Sequence, residues 1–200
     1  LKRSIASIPV DDRKDLLLQA LAGLLEHPQK LKVTTAALAA QLRISESSVY
    51  RCFPTKSHMF EALIAFIERT LFGLINKILQ DEGGSDKRIE NLLLLLLGFS
   101  QKNPGMTRIL TGDALINENE HLQLRINQLH DRLEATLKQA LRFAMSEGRL
   151  KNDRDVSAQA NLFMCFVIGR WHQFVKSGFK REPLANWDVQ RLMLLPYELL

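Results

Sequence analysis

The chain of 200 residues is poor in the features that mark several protein classes. It holds only 2 cysteines, which excludes a disulfide scaffold, and only 10 glycines and 6 prolines, far below a collagenous repeat. The longest wholly apolar run, Leu92–Phe99, is far shorter than the ~20 residues a bilayer span requires, so no membrane helix is expected. Disorder is excluded by the opposite count, because 46% of the residues are apolar. Cys52 and Cys165 have neither pairing nor ligand spacing, which suits a reducing compartment and a cytoplasmic location. The chain opens on Leu1 rather than on methionine, and no apolar stretch with a small-residue cleavage site follows. It therefore reads as trimmed at its start, without a signal peptide.

What is present is helical periodicity almost everywhere. No alternating β-branched stretch between turn signals reads as a strand, so the fold class expected is all-α. Leu16, Leu17, Ala20, Leu21, Leu24 and Leu25 form one stripe, ended by His27-Pro28. A long helix is expected over Thr55–Asp81, stopped by Gly83-Gly84, and Ser85 is expected to cap the next one, which runs through Phe99. Asn103-Pro104-Gly105 reads as a stop and turn before a short helix at Met106–Leu110. Leu122, Ile126, Leu129, Leu133, Leu137, Ala140 and Ala144 recur at spacings of 3 and 4, one amphipathic helix to about Gly148. Val156–Lys176 is apolar over more than one face, and a last helix is expected over Val189–Leu199, interrupted by Pro196.

Charge and motif converge at the N-terminal end. Residues 1–57 carry nine basic and five acidic groups, a net of +4, whereas the remainder nets only +1. Such asymmetry suits a polyanion-facing module on a near-neutral body. Within it, Thr34–Leu42 and Ser45–Phe53 read as two short helices joined at Arg43-Ile44, with Leu38, Leu42, Ile44, Val49 and Phe53 able to share a small core. That is a helix-turn-helix pattern. Any short hairpin of small residues looks similar, but matched caps, local positive charge and the run Val49-Tyr50-Arg51-Cys52-Phe53-Pro54-Thr55-Lys56 set this one apart. Ser45 is placed to N-cap the second helix, and Ser47, Ser48 and Arg51 then fall on its outer side, where they can reach base edges or phosphates. Thr34 and Thr35 start the first short helix, Lys56 starts the next long one, and Lys30 and Lys32 add flanking charge.

These residues resemble the TetR family of transcription regulators, whose signature is an Ala-rich helix, a Val/Ile-Ser turn and Leu-Tyr-x-His/Tyr-Phe-x-x-Lys. Arg43 stands where that pattern has a turn glycine, which predicts strain, and Cys52 where it has His or Tyr. The resemblance implies a three-helix DNA-binding head at 1–57 and a helical dimerisation and partner-binding body at 58–200. It implies a homodimer on palindromic double-stranded DNA, with the option of higher assembly there, and Thr34, Thr35, Ser45, Ser47, Ser48, Tyr50, Arg51 and Lys56 facing the DNA.

The likeness sharpens in the body, at Leu92–Phe99, Asn103–Gly112, Arg125–Leu129 and Phe174–Lys180, which resemble the branch of the family that acts in nucleoid occlusion. That branch antagonises the cell-division protein FtsZ by gripping its C-terminal tail between the fourth and fifth helices. The matching positions here are Phe66, Leu95, Gly98, Lys102 and Asn103, with Lys102 in place of an arginine and Leu74 in place of a basic residue. By composition alone Phe66, Leu95 and Phe99 belong to a core. Gly98, which costs about 1 kcal/mol against alanine in a helix, points to close approach by another backbone or a peptide. The alternatives are a ligand-released repressor of the same fold and a helical enzyme. His27, His58, His121, His130 and His172 form no metal-ligand set, and no nucleophile, base and phosphate-loop arrangement can be assembled, so no cofactor and no catalysis are expected.

Overall fold

The computed structural model describes residues 10–27, 33–81, 84–116, 118–151 and 153–196. Nine α-helices follow one another without a strand among the described residues: α1 Val10–Leu25, α2 Thr35–Leu42, α3 Glu46–Cys52, α4 Lys56–Gln80, α5 Ser85–Lys102, α6 Pro104–Leu110, α7 Glu120–Ser146, α8 Val156–Lys176 and α9 Trp187–Leu194. Lys30, Lys32, Pro28 and Gly83 lie outside those residues.

Caps account for most boundaries. Thr55 Oγ1 accepts the His58 N–H at 3.2 Å and starts α4, and Asp155 Oδ1 accepts the N–H groups of Ser157 and Ala158 to start α8. Three expectations are corrected. Gly84, not Ser85, occupies the N-cap position of α5, and that helix continues past Phe99 to Lys102. The expected turn at Pro104-Gly105 is instead the first turn of α6, with Pro104 at N1, where a missing N–H costs nothing. The last helix stops at Leu194 because Leu195 precedes Pro196 and takes an extended backbone (ψ 142°), as a residue before proline must; 197–200 lie outside the described residues.

The apolar stripe of α7, Leu122 through Ala144, is buried along its whole length against α8, α5 and α4. Trp171 of α8 is fully buried and donates its Nε1–H to the Leu96 carbonyl of α5 at 3.1 Å, which pins the two central helices together. One core runs without a break from Leu17 of α1 through Val49 and Phe53 to Leu195, and residue 57 falls in the first turn of α4. The tightest helix contact is between α6 and α1. A Cβ on Gly105 would lie 1.9 Å from the Ala22 carbonyl oxygen, so only glycine permits this approach. Arg108 of α6 donates to the Leu25 carbonyl at 3.2 Å and pairs with Asp113 at 2.6 Å, tying the end of α1 to the body.

Candidate functional site

The first candidate surface is the outer side of α2 and α3. Thr34 N-caps α2, its Oγ1 accepting the Ala37 N–H at 3.1 Å. The turn to α3 passes through Arg43 in the left-handed region (φ 54°, ψ 45°), as its place in the motif foretold. Its N–H and that of Ile44 close on the carbonyls of Ala40 and Ala39 at 3.1 and 3.0 Å, which satisfies the end of α2. A non-glycine residue there carries about 1–2 kcal/mol of strain.

In α3 the hydroxyls and charges engage one another. Thr35 Oγ1 donates to Glu46 Oε2 at 3.2 Å; having spent its only proton, it can only accept from the Tyr50 hydroxyl, 3.1 Å away. Tyr50, 47% exposed, is thereby oriented by a relay ending on a carboxylate. Glu46 was visible in the sequence only as an opposing charge; its role in aligning Tyr50 needed the fold. Ser45 holds the N-cap position but makes no bond to a backbone N–H. Its hydroxyl instead lies 2.9 Å from both Ser47 and Ser48, a correction to the expected cap. Arg51 folds back along α3, donating to Ser48 Oγ at 3.2 Å and to the Ser47 carbonyl at 3.4 Å. Lys56 opens α4 as expected, yet its ammonium is paired with Glu118, just before α7, and sits 5.5 Å from the centre of the Phe60 ring.

The second candidate is a crevice of about 620 Å³ between α4 and α5. Phe66, Leu95, Gly98, Lys102 and Asn103 all line it. Gln19 of α1, Thr70 and Leu74 of α4, Leu94 and Phe99 of α5 and Met106 of α6 complete its wall. Phe66 and Leu95, which composition alone assigns to a core, are half-buried and face the crevice. Around Gly98 a Cβ would meet only Leu184 Cδ1, at 3.8 Å. No backbone of this chain presses on it, so the open space is left to another molecule. Asn103 donates its Nδ2–H to the Phe99 carbonyl at 2.8 Å, which leaves its amide oxygen as an acceptor. Lys102 is exposed and makes no ion pair among the described residues. The wall is thus mainly apolar, with one cation and one amide at the α5–α6 end. Gln19, Thr70 and Met106 escaped the sequence reading because they come from three helices with no shared spacing.

Among the described residues no group of three His, Cys, Asp or Glu side chains could hold a metal ion, and no helix is long and apolar enough to cross a membrane.

Comparison with known proteins adds to this geometry. Residues 85–198 match the SlmA-like family model, described as a tetracyclin repressor-like C-terminal domain. Over 183 residues the chain is 46% identical to the nucleoid occlusion factor SlmA of Alteromonas mediterranea, covering 90% of this chain and 92% of that protein. It is 45% identical over 184 residues to SlmA of a Marinomonas species, covering 92% and 93% of the two chains. Among solved structures, a TetR transcription regulator from Haloarcula marismortui superposes with a TM-score of 0.76 at 18% identity, covering 92% of this chain and 95% of that one. A TetR-family regulator from Agrobacterium tumefaciens gives 0.76 at 16% identity over 93% and 97%.

Proposed function

Because this chain belongs to the SlmA family of TetR-like proteins, we propose that it is a DNA-binding nucleoid occlusion factor that sits as a homodimer on palindromic chromosomal sites and there grips the C-terminal tail of FtsZ, opposing ring assembly. The observation that carries this reading is the crevice. Phe66 from α4, Leu95, Gly98 and Lys102 from α5, and Asn103 from the junction with α6 converge on one open, mainly apolar hollow with an unpaired cation at one end. A peptide with apolar anchors and an acidic group fits that order of surfaces.

Residues 1–57 serve as the DNA-binding unit. α3 enters a major groove, where Ser47, Ser48 and Arg51 reach base edges, while Thr34, Thr35, Ser45, Tyr50 and Lys56 take phosphates. The remaining residues carry dimerisation. Leu162, Val189, Leu192 and Met193 of α8 and α9 are 51%, 57%, 54% and 81% exposed in the single chain, and Cys165 and Gly169 continue the same side of α8. Covering that apolar face with a second copy sets two heads on half-sites about 34 Å apart, one helical turn.

Fluorescence anisotropy of an FtsZ-tail peptide, with operator DNA present, tests the reading. Wild-type protein should bind. Lys102→Glu should bind more weakly, with a larger deficit at low salt, and Gly98→Leu should fill the hollow, while both retain operator binding. Absence of binding by wild type, or undiminished binding by both variants, would refute the tail reading and favour a ligand-released repressor.

A further inference from the structure

A second hollow, of about 520 Å³, lies between α1, the end of α3 and α4. Its floor is apolar and shallow-sided, built on Leu18, Phe53, Ala62 and Ala65. Lys14 and Arg69 stand at its walls, with His58 at the head end and Asp15 as the one opposing carboxylate. Neither Lys14 nor Arg69 makes an ion pair among the described residues. The hollow exists because α4 presents alanines at 62 and 65 where larger residues would close the gap to α1.

This hollow and the α4–α5 crevice are two stretches of one channel. On α4 the stripe His58, Ala62, Ala65, Arg69 lines the first and the adjoining stripe Phe66, Thr70, Leu74 lines the second. Neighbours in sequence therefore divide between them: Ala65 with Phe66, Arg69 with Thr70, and on α1 Leu18 with Gln19. From His58 to Leu74 the channel follows sixteen helical residues, roughly 24 Å, the reach of about seven extended residues.

We infer that the partner peptide's binding site does not end at the α4–α5 crevice but continues along α4 into the Lys14–Arg69 hollow, which takes an acidic continuation of the same peptide and brings it to the base of α3. The inference rests on the reading of the crevice as a tail site. Charge selects the occupant: two unpaired cations and an imidazole flanking small apolar residues suit a segment that alternates acidic and small apolar side chains. Because the far end of the hollow is Cys52, Phe53 and Pro54, at the end of α3, the bound peptide would touch the element that docks on DNA.

The test uses the full-length protein on operator DNA and three labelled peptides: the FtsZ tail, and the same tail lengthened by Ala-Glu-Leu-Glu-Ala at its N-terminus or at its C-terminus. One of the two lengthened peptides should bind about threefold to fivefold more tightly than the parent, the return expected of two solvent-accessible ion pairs. That gain should vanish in Arg69→Glu and in Ala62→Trp, while both variants bind the parent peptide and the operator as wild type does. No gain with either lengthened peptide, or a gain that survives both variants, would overturn the inference while leaving the tail site standing. Failure of the parent peptide itself would remove the tail site, and the inference with it.

Discussion

Lys56 shows how a single ion pair couples the two ends of the molecule. In the free protein its ammonium is held by Glu118, which precedes α7, yet as the first residue of α4 beside α3 it is also placed to meet a phosphate. The carboxylate and the phosphate then compete for one cation. Glu118→Gln should raise operator affinity by about twofold to fivefold at low salt, within the range of one partly exposed pair, and Lys56→Ala should lower it and reduce the log–log salt slope by about one. Filter binding across a salt series checks both, and no change in either would show that Lys56 is not a phosphate contact. His130 is a different kind of residue. It is stacked 5.8 Å from Trp171, its Nε2 is buried without a partner, and burial holds its pKa below 6.5. The repulsion of His172 adds to that shift, while the Leu110 carbonyl and Asp131 oppose it. A histidine whose folded pKa is depressed leaves stability intact above the unfolded value near 6.5 and removes it as pH falls toward the folded value. Melting temperature should therefore decline on acidification below pH about 6.5, and His130→Gln should flatten that decline. An unchanged acid limb in the variant would place the sensitivity elsewhere.

Among the helices, α6 and α8 carry the clearest consequences. Gly105→Ala puts a methyl 1.9 Å from the Ala22 carbonyl, so α6 must withdraw from α1. Overpacking of this kind costs typically 1–3 kcal/mol, which urea unfolding should register. A variant as stable as wild type would mean that α6 is free to shift. The sequence marks Gly105 as a turn residue, because its proline and asparagine neighbours read as a break; only the spatial approach of α1 reveals why glycine is required. The bounds of α8 were legible to the residue, yet its faces were not. Val167 reads as part of a dimer seam, but it is fully buried inside one chain, whereas Leu162, two positions off that stripe, is half exposed. Periodicity tells that a helix has two apolar faces without telling which one its own chain covers. Leu162→Glu should therefore give a folded monomer in light scattering, while Val167→Glu should unfold the chain by burying an unpaired carboxylate. A dimeric Leu162→Glu protein would exclude this face as the seam.

Taken as a molecule, the chain places a hydroxyl-rich, partly cationic head at one end of α4 and an apolar crevice further along the same helix, so a single rigid element reports to both. The all-α class, the helix-turn-helix and the five crevice residues could be read in advance because each follows from a local pattern or from a family likeness over a short stretch. Glu46, Glu118, Gln19 and Met106 could not, since their parts depend on helices distant in sequence meeting in space. The proposed function requires that DNA sites be many and dispersed, because an antagonist confined to one promoter could not shield a nucleoid. The decisive measurement is to sequence the chromosomal DNA captured with the protein in cells, using Tyr50→Ala as the control. Palindromic sites scattered over the chromosome, lost in Tyr50→Ala, are the predicted result. Recovery of a single promoter region would contradict it.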